Sequence, residues 1–115
     1  MHNIQALDGL FLPCRRTVFR SLCFDEQTFD GFHCYDSDFT FAAHLAGFRL
    51  AVCNDIALLH ASGGTYDDRW AHYMRLFANK YQDRLPAGKR RRFQFASVQV
   101  ETKPEILEVM GLAGR

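Results

Sequence analysis

Three side chains between Phe24 and Gly64 have types and settings that could do chemistry: Asp36, Asp38 and His60. A D-x-D triplet can hold a hard divalent cation, because Mg²⁺ and Mn²⁺ prefer carboxylate oxygens and keep water or phosphate at their other positions. One acid of the pair can instead take the proton of an acceptor hydroxyl, a role worth typically about 10²–10⁴-fold in rate. The same two acids suit the first turn of a helix, where capping and the macrodipole favour negative charge by about 0.3–1 kcal/mol each. Spacing alone leaves all three roles open.

His60 closes the short apolar run Ile56–Leu59 and precedes Ala61-Ser62-Gly63-Gly64. Ser62, Gly63 and Gly64 would let the backbone turn sharply or approach a ligand closely, making them candidate pocket residues. His60 at the end of such a run can ligate a metal or contact phosphate, and it can equally be a hydrogen-bonded structural histidine. Asp8-Gly9 interrupts the apolar run Gln5–Leu12 and forms a second candidate pocket wall; a turn carboxylate bonded to nearby amides is the alternative. His2, His33, His44 and His72 have no zinc-ligand spacing, and Cys14, Cys23, Cys34 and Cys53 contain no C-x-x-C pair. Buried, reduced thiols are expected.

The elements that would carry these residues follow from periodicity and punctuation. Alternation predicts strands over Gln5–Leu12, Phe48–Cys53, Ile56–Leu59 and Phe93–Val100. Helical spacing predicts a short helix over Arg15–Leu22 and a second that starts at Asp36 and stops at Gly47, with Phe39, Ala42, Ala43 and Ala46 on its apolar face. A third, over Asp67–Gln82, would pack Trp70, Met74, Phe77, Ala78 and Tyr81 into the core, and Pro104–Met110 would form a last short helix. Phe24–Cys34 reads as an ordered loop. The expected architecture is α/β, a small mixed sheet flanked by helices, with residues 1–88 as the domain and 89–115 as a basic linker and extension.

Composition narrows the class. At 115 residues, 48% hydrophobic and 23% charged, the chain can bury roughly 60–70% of its unfolded surface and is not of disordered type. A net charge of +1 gives no general pull toward nucleic acid. The local run Lys89–Arg92 lacks interleaved aromatic residues and reads as a solvated loop. No apolar stretch reaches the roughly 18 residues that span a bilayer, and a cytoplasmic location is expected.

In order along the chain, ALDGLFLPCRRTVF, FDE, GFHCYDSDFTFAAHLAGFRLAV and LLHASGG resemble the C-terminal, acceptor-side half of a family 2 glycosyltransferase of the GT-A fold, over about residues 5–85. The resemblance implies inverting transfer of a sugar from a nucleotide-sugar donor to a hydroxyl acceptor. It makes Asp36 the catalytic base, Asp38 a second acid on the acceptor side, and His60 a contact to a divalent cation (Mn²⁺ or Mg²⁺) or to the donor diphosphate. The family's own metal-binding D-x-D belongs to an upstream nucleotide-binding half, so activity is expected only with that half. Tyr35 stands where the family often has Glu, and Ala42 where it often has Arg. The alternative function is a non-catalytic module that binds a partner or self-associates through the surface which the other half would cover.

Overall fold

The computed structural model describes residues 4–53, 55, 56, 58, 60 and 65–85. Three helices form: α1 (Arg16–Ser21), α2 (Tyr35–Leu45) and α3 (Asp68–Lys80). Each falls within a residue or two of the span predicted from periodicity. No β-strand occurs among the described residues, so the expected α/β fold with a mixed sheet does not form there. Residues 5–12 and 48–53 carry no ladder, nor do Ile56 and Leu58. The expected strand 93–100, the basic run, the boundary at residue 88 and the final helix lie outside the described residues. Among those described, no helix is long and apolar enough to cross a membrane.

The reason for the missing strands is visible in the backbone bonds. The Leu7 N–H donates to Thr40 Oγ1 at 2.9 Å and the Gly9 N–H to Asp36 Oδ2 at 2.8 Å. Side chains of α2 therefore take amides that a neighbouring strand would otherwise take. Alternation records which face of a segment is apolar, but a strand also requires a partner ladder. Phe48 likewise gives its N–H to Ala43 O at 3.0 Å, spending it on the end of α2.

α2 begins after Cys34, whose left-handed backbone (φ 65°) is rare for a residue with a Cβ. Asp36 and Asp38 lie in its first turn, where the unpaired amides favour negative charge. Its end is set by Gly47 at φ 86°, a conformation that glycine adopts without steric cost. The helix is buried on more than the expected stripe: Asp36, Asp38, Phe39, Thr40, Phe41 and Ala43 are buried, whereas Ala46 is exposed. Phe24 stacks on Phe39 at 4.4 Å, and Phe41 meets Tyr81 edge-on at 4.8 Å. Such contacts add about 0.5–1.5 kcal/mol beyond area burial.

α3 is capped by Asp67, whose carboxylate accepts the Arg69 and Trp70 amides at 3.0 Å each. The stripe expected to be core is shallower than its spacing suggested: Tyr81, just past the helix, is buried, while Met74 is 38% exposed. The thiols also differ from expectation. All four cysteines are free, but only Cys34 is buried.

The loop before α2 is fastened to α3 by Tyr73, whose hydroxyl donates to Asp30 Oδ1 at 2.7 Å. A Cβ at Gly31 would run into that held hydroxyl. Gly31→Ala is expected to destabilise the protein by about 1–3 kcal/mol, as overpacking does. Thermal unfolding should show a smaller loss in the Tyr73→Phe background, because the obstructing hydroxyl is gone.

Candidate functional site

Asp36 lies at the start of α2 with only 7% of its surface exposed. Its Oδ1 accepts the Ser37 amide at 2.7 Å and its Oδ2 the Gly9 amide at 2.8 Å. Each carboxylate oxygen can accept a second bond, so capacity to take a proton remains. Thr40 locks this turn to the preceding segment: it accepts from Leu7 N–H and donates to Asp36 O at 2.8 Å.

Asp8 reaches the same point from the opposite side. Hydrogen bonding to the Asp36 carboxyl, then burial, then repulsion by the Asp36 charge raise Asp8 above its ordinary value, while the charge of His60 opposes them. Ionising both carboxyls would set like charges side by side, so Asp8 holds its proton more tightly than an ordinary aspartic acid. Asp8, Gly9, Asp36 and His60, distant in sequence, thus gather in one place. Asp8, Gly9 and His60 also line a cavity of about 480 Å³ bounded by residues 7–14, α2 and residues 48–53. Ser62, Gly63 and Gly64 lie outside the described residues.

Asp38 has a different setting. It is 2% exposed; its Oδ1 accepts from the Tyr81 hydroxyl and from Lys80 Nζ, each at 2.7 Å. Lys80 also bonds Asp25 Oδ2 at 2.7 Å, and its ammonium lies 5.3 Å from the ring centres of Phe29 and Tyr81. Burial opposes the Lys80 charge, but the hydrogen bonds to Asp25 and Asp38 outweigh it, and the ammonium holds its proton more tightly than an ordinary lysine. The Lys80 bond, followed by those from Thr28, keeps Asp25 well below the usual carboxylate range. Asp38 is therefore engaged between α2 and α3 rather than turned toward the cavity.

Thr40, Lys80 and Asp25 were not singled out by the sequence, and Tyr81 was expected only as a core residue. Thr40 carried a signal, because it falls one turn after Asp36 on the same helix. Nothing local connects residue 38 with residues 80 and 81. Cys34 sits beside the site but is not a reactive nucleophile: burial, then the charges of Asp36, Asp8 and Asp38, raise its thiol and keep it protonated.

No three His, Cys, Asp or Glu side chains converge as a metal-ligand set among the described residues. Both Asp36 oxygens accept backbone amides, from Ser37 and Gly9. Compared with family models, curated proteins and solved structures, the chain matches none.

The buried network predicts an alkaline weakness. Burial, then the Asp38 hydrogen bond and charge, push Tyr81 up to about 12, against about 10 when unfolded. A raised value means that this stabilisation is complete below about pH 10 and is lost as pH rises through about 12. Thermal melts should show a falling midpoint across that window, and Tyr81→Phe, less stable at neutral pH, should show a smaller decline.

Proposed function

We propose that this chain supplies the acceptor-side chemistry of a glycosyltransferase, in which a hydroxyl acceptor loses its proton to the Asp8–Asp36 pair as its oxygen attacks the anomeric carbon of a nucleotide-sugar donor, whose bond to the diphosphate breaks to release the nucleoside diphosphate. The observation that supports the reading is the convergence of Asp8, Gly9 and His60 on one cavity, with Asp36 behind it on the Gly9 amide. The resemblance of YDSDF and LLHASGG to a family 2 glycosyltransferase independently nominates Asp36 and His60.

The chemistry follows from the pair. An Asp8 carboxyl raised above its ordinary value is a stronger base than a free carboxylate and suits the proton that an attacking hydroxyl releases. Asp8 faces the cavity, while Asp36 lies behind it, held by the Gly9 and Ser37 amides. His60, on the cavity wall, is placed to orient the acceptor or meet the donor's diphosphate. Asp38 contributes by fixing the helix that carries Asp36. The donor's nucleotide would be held by a nucleotide-binding half acting together with this chain. No cation-ligand set forms among the described residues, and the role for Mn²⁺ or Mg²⁺ implied by the resemblance would draw on ligands from that half.

Sugar transfer by the protein that carries this chain tests the reading. Asp36→Asn should lower kcat by about 10²–10⁴-fold with a much smaller change in KM. Near-normal turnover in that variant contradicts the assignment of the base.

A further inference from the structure

The cavity beside the Asp8–Asp36 pair has an uneven lining. Its walls are predominantly apolar, from Leu10, Phe11 and Val18 to Leu50, Val52 and Leu58. Polar side chains are few: Asp8 and His60 occur where the candidate site lies, Thr40 is already bonded to Leu7 and Asp36, and Arg49 is exposed. Several of the apolar walls are far from buried: Leu10 and Leu58 are each 55% exposed and Val52 is 63% exposed. Apolar surface of this extent calls for an occupant that removes it from water, at roughly 25 cal/mol per Å² covered. About 480 Å³ falls within the roughly 300–1,000 Å³ range of small-molecule sites, which combine apolar walls with a few convergent polar groups.

Resting on the glycosyltransferase reading above, we propose that the acceptor is a single-chain amphiphilic alcohol, taken up as a monomer, with its apolar chain in this cavity and its hydroxyl-bearing head at Asp8 and His60. The match is one of polarity at each end. A wholly polar sugar would leave Leu10, Val52 and Leu58 in water, whereas a plain hydrocarbon would make no hydrogen bond to the Asp8 carboxyl or His60. An alcohol with an apolar chain satisfies both ends and presents its hydroxyl to the group that would accept its proton. The chain also adds binding energy remote from the reacting oxygen, which helps to hold that oxygen in place.

Calorimetric titration of the full chain with n-octyl β-D-glucoside, kept below its micelle concentration, tests this directly, with glucose as the chainless control. Saturable binding of the octyl glucoside with a negative heat-capacity change, and no binding of glucose, is expected. Leu58→Asp, at an exposed position that tolerates polarity, should weaken binding at least about tenfold by placing a charge on the apolar wall. Ala51→Trp, which crowds the cavity from its exposed rim, should do the same. The readout requires no turnover, so a chain that binds octyl glucoside while its parent protein transfers no sugar retains the amphiphile site and loses the transferase reading. Absence of saturable binding, equal binding of glucose, or unchanged affinity in both variants overturns the proposal. So does light scattering that shows a stable dimer with the octyl glucoside excluded, because a second copy would then be the occupant.

Discussion

The described structure depends on one buried carboxylate. Asp38, nearly inaccessible to water, is held by the Lys80 ammonium and the Tyr81 hydroxyl, and the same ammonium reaches across to Asp25. A carboxylate in such a setting is tolerable only when its charge is balanced and its oxygens are hydrogen-bonded; removing one partner would leave an uncompensated charge in the interior. Lys80 satisfies the first condition while its stem and head pack against Phe29 and Tyr81. The result ties together the loop before α2, the first turn of α2 and the end of α3. Phe41, Phe77 and Tyr81 surround the joint with ring contacts of 4.8–5.7 Å.

That joint determines where Asp36 can be. Two residues before Asp38 on a helix whose first turn is clamped, Asp36 faces the other way, toward residues 7–9, where the Gly9 amide and the Asp8 carboxyl meet it. α2 is therefore a divider. One side is fixed by charge and aromatic packing; the other presents an acid to a segment that has no strand partner among the described residues. Thr40 completes the second side by taking up the Leu7 amide. The cavity follows from the same arrangement: residues 7–14 and 48–53 flank α2 without a ladder between them, and the apolar side chains that alternation would place inside a sheet line open space instead.

The helices were legible because their signals are local. Gly47 as a stop, Asp67 as a start and the spacing of Phe39 and Ala43 each act within a few residues of where they are read. The expected sheet failed for a complementary reason. QALDGLFL and FRLAVC alternate as strands do, but whether a ladder forms depends on which acceptors stand opposite, and α2 supplied side-chain acceptors from positions 36 and 40. Asp36, Asp8 and His60 were each recognisable as chemically useful; their association was not, since it depends on how segments far apart in sequence pack. Asp38 shows the limit most clearly. Its position in a D-x-D triplet suggested a partner role in the site, and only the remote Lys80 and Tyr81 direct it inward.

The central claim is that Asp8 and Asp36 form one interacting pair of carboxyls, and a carbon-detected NMR titration of the side-chain carboxyls measures it most directly. Asp8 is expected to titrate above the ordinary carboxylate range in the native chain and to return toward it in Asp36→Asn, where the charge repulsion is lost. An Asp8 carboxyl that titrates at its ordinary value in the native chain, and is unmoved by Asp36→Asn, would contradict it.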